Sequence, residues 1–91
     1  MEFEWDTNKA IANLQKHEVS FAEAATVFGD PLSITFPDPD HSINESRFIT
    51  IGLSTNGRII ILSHTDRDER IRIISARKAT RKEQRFYEEG Y

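Results

Sequence analysis

The sequence predicts an α+β fold: two N-terminal helices, an antiparallel β-sheet of about four strands, and a C-terminal helix. Two observations carry this prediction. Apolar residues recur at helical spacing before residue 29, change to a spacing of two in the middle of the chain, and give way to a short helical segment at the end. Residues that favour helix caps and tight turns stand at the boundaries between these segments. The 91 residues have the length of one domain, residues 1–91.

Capping residues mark the two N-terminal helices. Asp6 is placed to cap a helix from about Thr7 to Lys16. Ser20 followed by Glu23 has the spacing of a capping box, in which each side chain accepts a hydrogen bond from the other residue's backbone N–H. Gly29 then predicts the end of the second helix.

The same signal recurs near the C-terminus. Thr80 followed by Glu83 repeats the spacing of a capping box. It predicts a third helix from about Arg81 to Glu89, which Gly90 would end.

The segment between the helices has the pattern of strands and turns. The predicted strands are Leu32–Phe36, Arg47–Ser54, Arg58–His64 and Arg70–Ala76. Asn56-Gly57 is a pair favoured by the type I′ turn, so it predicts a tight hairpin between the second and third strands. Asp66–Glu69 predicts a longer turn before the last strand.

Helices can cover one face of such a sheet and leave the other face open to a ligand. Alternation along the last strand places Arg70 and Arg72 on the face opposite its isoleucines. Arg77, Lys78 and Arg81 follow at the end of that strand. We therefore expect these five basic residues to line one side of an open face.

Composition excludes several classes of protein. The chain has no cysteine, and therefore no disulfide framework, thiol nucleophile or cysteine-based zinc site. Its longest apolar run, Ile59–Leu62, is far shorter than the roughly 20 residues of a membrane span. The first six residues lack the basic start of a secretory signal. We expect a cytoplasmic protein that makes no membrane contact.

The net charge of −3 conceals a strong asymmetry. Residues 67–85 hold eight basic and three acidic side chains, whereas the rest of the chain holds four basic and twelve acidic ones. The basic segment is suited to a polyanion or an acidic partner. A solvated helix face can carry the same charges, so charge alone does not decide between these interpretations.

Several side chains could cleave RNA by attack of a ribose 2′-hydroxyl on the adjacent phosphate, a reaction that needs proton transfer and neutralisation of the phosphorane. Arginine suits the second task because its planar fork holds two phosphate oxygens and stays charged. The candidate arginines are Arg67, Arg70, Arg72, Arg77 and Arg81. Histidine titrates near neutral pH, so His17 and His64 are candidates for proton transfer. Glu83 or Tyr87 could serve if basic neighbours lower their pKa values.

Each of these candidates also has a purely structural explanation. His17 could close the first helix, where a cation is favoured by the helix dipole. Glu83 could only complete a capping box, and Tyr87 could pack beneath the sheet. The histidines at positions 17, 41 and 64 lie far apart in the sequence, so no metal site is predicted. Glycine-rich phosphate loops, serine nucleophile elbows and paired-histidine motifs are also missing.

Several longer segments match a known family. They are Phe3-Glu-Trp-Asp6 with Lys9 and Asn13, Lys16-His17 with Val19-Ser-Phe21 and Glu23-Ala24, Arg47-Phe-Ile-Thr-Ile-Gly52, and Arg70-Ile-Arg-Ile-Ile-Ser-Ala-Arg77-Lys-Ala79 with Glu83 and Tyr87. They span nearly the whole chain, and Arg-Ile-Ile-Ser-Ala-Arg is the most specific. On these segments the chain resembles the BrnT toxins of bacterial type II toxin–antitoxin pairs. The family pattern usually has glycine where Glu18 stands, so we expect a change at the exit from the first helix.

The resemblance implies a fold similar to that of the RelE-like ribonuclease toxins. It also implies a metal-independent endoribonuclease, without a cofactor, that inhibits translation and growth. The implied partner is a BrnA-like antitoxin with a ribbon-helix-helix DNA-binding part. The toxin would then contact operator DNA only through that antitoxin.

Residue by residue, the resemblance implies an active surface formed by Lys9, Lys16, His17, Arg47, Arg67, Arg77, Glu83 and Tyr87. Our hypothesis assigns stabilisation of the phosphorane to Arg77 and Arg67, and proton transfer to His17 or Glu83, with Tyr87 as a further catalytic candidate. The substrate-binding candidates are Lys9, Lys16, Arg47, Arg70, Arg72, Lys78 and Arg81.

Two other functions compete with the ribonuclease. A non-catalytic module could use residues 67–85 to bind an acidic protein or nucleic acid, and turnover of RNA, rather than salt-sensitive binding, separates the two. A DNA-binding regulator in its own right would need a recognition helix with base-reading side chains. The predicted helix over residues 81–89 is short and ends in acidic residues, which disfavours that role.

Overall fold

Five strands form one mixed sheet in the computed structural model, which describes residues 1–41 and 45–90. The strands are β1 (Glu2–Glu4), β2 (Ile34–Pro37), β3 (Arg47–Leu53), β4 (Ile59–Arg67) and β5 (Arg70–Lys78), and the helices are α1 (Thr7–His17), α2 (Phe21–Thr26) and α3 (Arg81–Glu88). Short 3-10 turns lie at Val27–Gly29 and Pro39–His41. The strand order is β1-β5-β4-β3-β2. The α+β class is confirmed.

The predicted antiparallel sheet of about four strands is confirmed in part: β2 to β5 form it, but β1 adds a fifth strand that runs parallel to β5. Phe3 pairs with Ile71, at the other end of the chain. All other neighbouring strands are antiparallel. The alternation of Phe3 and Trp5 with acidic residues is typical of a short extended segment. Its partner is distant in sequence, so local patterns do not predict that this segment joins the sheet.

Capping explains where the helices begin. Asp6 accepts a hydrogen bond from the backbone N–H of Lys9 at 3.0 Å, and the capping box predicted at Thr80 is complete. Ser20 caps α2, but the box predicted there is not formed. The carboxylate of Glu23 turns instead toward the hairpin between β3 and β4, where it is hydrogen-bonded to Arg58. That contact lowers the pKa of Glu23.

Both hairpins form, but their turns differ from the predicted ones. Gly57 has a φ of 78°, whereas Asn56 has no positive φ, so the β3–β4 turn is not type I′ as predicted. The positive φ values of Asp68 (51°) and Glu69 (68°) instead fit a type I′ turn between the paired ends of β4 and β5. Glu18, with a φ of 59°, ends α1 in the left-handed conformation. A glycine would adopt that conformation more readily.

The main core lies between α2 and one face of the sheet. It consists of Val19, Phe21, Ala24, Val27, Ile60, Leu62, Ile73 and Ala76. Gly52 in β3 lies close beneath this layer, where an added Cβ would come within 2.8 Å of Val27. Among the described residues, no helix has both the length and the apolar character needed to cross a membrane.

Helix α1 lies along the edge of β5, beyond the residues that pair with β1. The side-chain amide of Asn13 donates to the carbonyl of Ala76 at 2.8 Å and accepts from the N–H of Ala76 at 3.1 Å. Asn13 therefore makes the two hydrogen bonds that a neighbouring strand would otherwise make. This attachment fixes the position of α1 against the sheet.

Candidate active site

A β-bulge in β5 decides which side chains reach the open face, the face of the sheet opposite α2. Ser75 pairs with Ser63, but Ile73 pairs with the next residue of β4, so Ile74 is an extra residue. Because side chains alternate along a strand, one extra residue exchanges the faces beyond it. Ile73 lies in the core, whereas Ser75 and Arg77 lie on the open face. A regular strand would have turned Arg77 toward the core.

A cavity of about 270 Å³ opens on this face beside the bulge. It is lined by His17, Ile49, Ile61, Leu62, Ser63, Ser75, Ala76 and Arg77. His17 lies one turn after Asn13 on the same side of α1. The hydrogen bonds between Asn13 and Ala76 therefore place His17 at the rim of the cavity.

Arg77 is held in the cavity by Glu83, in the first turn of α3. Nη1 and Nη2 of Arg77 donate to the two carboxylate oxygens of Glu83 at 2.7 and 2.9 Å. These hydrogen bonds are the main reason that the pKa of Glu83 falls to about 2, against the opposing effect of burial. The same contact raises the pKa of Arg77. Glu83 is therefore ionised at neutral pH and is a weak proton acceptor.

A second groove continues from this cavity along α1. It is lined by Lys9, Ala12, Asn13, Lys16, His17, Ile74 and Ser75. His17 and Ser75 line both spaces. The two lysines are exposed on α1 and bring positive charge beside the cavity that holds Arg77.

An apolar cavity of about 630 Å³ lies on the other side of the first, between α3 and the sheet. It is lined by Ile34, Phe36, Ile51, Ile61, Lys82, Glu83 and Phe86. Ile61 borders both cavities. The rings of Phe36 and Phe86 pack edge to face, with 6.4 Å between their centroids.

Three predicted arginines lie at the far end of the sheet. Arg67 ends β4, with Nη2 at 3.4 Å from Oε1 of Glu45. Arg72 donates to Glu4 on β1 at 3.0 Å, and Arg70 lies 3.8 Å from the same carboxylate. Since a strand rises about 3.3 Å per residue, roughly 20 Å of β4 separates Arg67 from the part that pairs with Arg77. Arg70 and Arg72 lie on the open face like Arg77, but at the end of β5 that pairs with β1, where they contact Glu4. Lys78 directly follows Arg77 and so lies on the other face. The five basic residues expected between positions 70 and 81 therefore do not line one surface together.

The remaining candidates of the basic segment lie outside the two polar spaces. Arg47 begins β3 at the far end of the sheet. Lys78 and Arg81 are exposed and line neither space. Tyr87 donates a hydrogen bond to Asp30 at 2.5 Å. Burial, together with the Asp30 carboxylate, raises the pKa of Tyr87 to about 12, so the lowered pKa that a role in proton transfer would require is not found.

The other two histidines are remote from the cavity. His64 is buried on the core side of the sheet between Phe28 and Phe48, with Nε2 hydrogen-bonded to the Thr50 hydroxyl at 2.7 Å. Burial lowers the pKa of His64. His41 is exposed. Within residues 1–41 and 45–90, no group of three or more histidines and carboxylates is arranged to hold a metal ion.

Ser63 and Ser75 were missed by the sequence analysis. Ser63 directly follows the aliphatic run Ile59–Leu62, and Ser75 lies between Ile74 and Ala76, which is a signal that the sequence does carry. That the two face each other and share a cavity with His17 depends on the bulge, which the sequence pattern does not show.

Comparison with known proteins identifies the family of the chain. Residues 5–83 match the family described as the ribonuclease toxin BrnT of type II toxin–antitoxin systems. The chain is similar to the crystal structure of the Brucella abortus ribonuclease toxin BrnT, with a TM-score of 0.69 and 25% identity over 89% of this chain and 99% of that one. No curated protein matches the chain. Because the family match extends from before α1 to Glu83, the chain belongs to the BrnT family of ribonuclease toxins of type II toxin–antitoxin systems.

Proposed function

We propose that this chain is a metal-independent endoribonuclease that acts as one domain, residues 1–91, and cleaves RNA through attack of the ribose 2′-hydroxyl. The observation that carries the proposal is that His17 and Arg77 line one cavity. A histidine can accept the proton of the attacking 2′-hydroxyl, and an arginine can neutralise the phosphorane. The bond from phosphorus to the 5′-oxygen then breaks, and the protonated histidine can return a proton to that oxygen, which leaves as a 5′-hydroxyl. Membership of a family of ribonuclease toxins supports RNA as the target.

The contacts of Arg77 support a division of labour around it. A guanidinium has five N–H donors in a fixed fork. Arg77 gives one to each carboxylate oxygen of Glu83, which leaves donors for phosphate oxygens. Glu83 therefore orients Arg77. With a pKa of about 2 it is not suited to carry the proton, so we assign that role to His17.

Lys9 and Lys16 would hold the phosphates that flank the cleaved linkage, since their groove is continuous with the cavity. We assign no catalytic role to Arg67 or Tyr87. Arg67 lies at the far end of β4, and the hydroxyl of Tyr87 is hydrogen-bonded to Asp30.

In this proposal a BrnA-like ribbon-helix-helix antitoxin neutralises the toxin in the cytoplasm, and operator DNA is bound only through that complex. Membership of a type II system implies an antitoxin partner. Gel-shift experiments with operator DNA test the assignment. The chain alone should give no shift, and its complex with the adjacently encoded protein should give one. A shift by the chain alone would favour a DNA-binding regulator.

Incubation of the purified chain with RNA in EDTA tests the enzymatic proposal. We expect cleavage with 2′,3′-cyclic phosphate ends, and a loss of about 10²-fold or more in the His17→Ala variant. Thermal unfolding of the variant checks that it is folded. Intact RNA, together with harmless expression of the chain in bacteria, would instead support the non-catalytic binding module.

A further inference from the structure

We propose that Ser63 and Ser75 form a binding site for a non-bridging oxygen of the scissile phosphate of RNA, an inference that rests on the proposed ribonuclease function. The two residues are direct cross-strand partners in β4 and β5. The Cβ atoms of such partners lie about 5 Å apart, so both hydroxyls can reach the same acceptor atom.

The cavity places this serine pair beside the charged groups that the reaction needs. Ser63 and Ser75 line it together with His17 and Arg77. Serine hydroxyls can donate hydrogen bonds to an anionic oxygen, and such charge-assisted bonds are stronger than those between neutral groups. A phosphate held by the serine pair would therefore lie within one site with the arginine and the histidine.

Neither serine hydroxyl has a hydrogen-bond partner within residues 1–41 and 45–90. Other hydroxyls of the sheet are engaged: Thr50 on β3 is hydrogen-bonded to His64, and Thr65 on β4 donates to the carbonyl of Ser46. Ser75 is exposed and Ser63 is half-buried. The hydroxyl groups of the pair are therefore available to a ligand, whereas those of Thr50 and Thr65 serve the fold.

The position of Ser75 also fits a continuous RNA backbone. Ser75 lines both the cavity and the groove along α1. That groove carries Lys9 and Lys16. A strand whose scissile phosphate rests on the serine pair can therefore continue past the lysines with its next phosphates.

Matched substitutions test the role of the hydroxyls. Threonine and valine have nearly the same shape and both suit a strand, so Ser75→Thr and Ser75→Val differ in the hydroxyl alone, and the same pair can be made at Ser63. The measurements are KM and kcat for RNA, and Kd for a single-stranded deoxy oligonucleotide of the same sequence, which has the phosphates but no attacking hydroxyl. We expect each valine variant to raise KM and Kd about tenfold over its threonine partner, with a smaller change in kcat.

The outcomes separate this inference from the proposed function. Equal Kd values for the threonine and valine variants would overturn the serine site, as would a fall in kcat at unchanged Kd. A wild-type chain that binds the oligonucleotide but cleaves no RNA would overturn the ribonuclease proposal, and Kd would still report on the serines. If a valine variant does not fold, Ser75→Ala or Ser63→Ala, which removes a single oxygen, answers the same question through Kd.

Discussion

Adjacent residues of the same strand lie on opposite faces of the sheet, and the two faces have different roles. Ile60 and Ala76 are buried beneath α2, whereas Ile61 and Arg77, each one position further along, line the open cavity. Because side chains alternate along a strand, one residue contributes to the stability of the core and the next lines the cavity of the candidate active site. Substitutions one position apart should accordingly change different properties, and this expectation can be tested directly.

The largest expected effect is on the open face. Arg77→Ala should lower kcat/KM for RNA cleavage by about 10²–10³-fold, since removal of one group that stabilises the transition-state charge has that effect. The matched control is Arg72→Ala, whose side chain is paired with Glu4 away from the cavity, and its kcat/KM should stay within about threefold of wild type. Similar losses in the two variants would mean that charge, and not position, matters.

Truncation on the covered face should change stability instead. Ile60 is fully buried, so Ile60→Ala should lower the free energy of unfolding by about 3 kcal/mol. Ile61, half-buried on the open face, should lose only about half as much on the same change. Urea denaturation measures both values. Equal losses at the two positions would contradict the division between the faces.

His64 is a polar exception on the covered face and should make stability depend on pH. Its Nδ1 is buried with no hydrogen-bond partner in the described part of the chain, and burial lowers its pKa from 6.5. The unfolded chain therefore binds a proton at His64 at a higher pH than the folded chain does. The free energy of unfolding should fall as the pH drops below about 6.5, until the folded-state pKa has been passed.

The comparison variant for His64 is His64→Phe, because the ring lies between two phenylalanines. Urea denaturation at pH 7.5 and 5.5 should show a smaller pH dependence in the variant than in the wild type. Glu83 does not contribute to the difference between pH 7.5 and 5.5. Its pKa is about 2 in the folded chain, so the stabilisation that it provides is lost only below the ordinary glutamate pKa of 4.5. Identical pH dependence in the two proteins would contradict the prediction.

The smallest effect is expected where α1 ends, outside both faces. Glu18→Gly should raise the free energy of unfolding by about 0.5–1 kcal/mol, because glycine adopts the left-handed conformation without the cost that a Cβ imposes. Glu18→Ala keeps the Cβ and should give no such gain. Thermal unfolding measures the difference, and RNA cleavage should be unchanged. A gain from alanine equal to that from glycine would contradict the backbone explanation.

Local sequence signals correctly predicted several features that depend on residues close together in the chain. The caps at Asp6 and Thr80 are confirmed because a cap depends on a side chain and an N–H about three positions later. The place of β1 in the sheet could not be predicted, since its pairing partner β5 is distant in sequence. The bulge at Ile74 could not be predicted either, because the alternation of residues 70–73 gives no sign that it will be interrupted.

The residues of the candidate site could be predicted more easily than their arrangement in space. Residue chemistry and the family resemblance both pointed to His17 and Arg77, but their meeting depends on the docking of Asn13 and on the bulge. The charge count treated residues 67–85 as one basic segment. Arg67 stands at the turn between β4 and β5, whereas Arg77 lies near the other end of β5, so most of the length of one strand separates them.

Asn13 also closes a border of the sheet. Beyond Arg72, no strand among the described residues pairs with β5 on that side, and an exposed row of N–H and C=O groups invites pairing with another chain. The Asn13 amide occupies both groups of Ala76 at this border. The opposite border, β2, is only four residues long and ends at Pro37, which has no N–H to donate. The Asn13 amide and Pro37 thus limit edge-to-edge aggregation of the toxin at the two edges of the sheet.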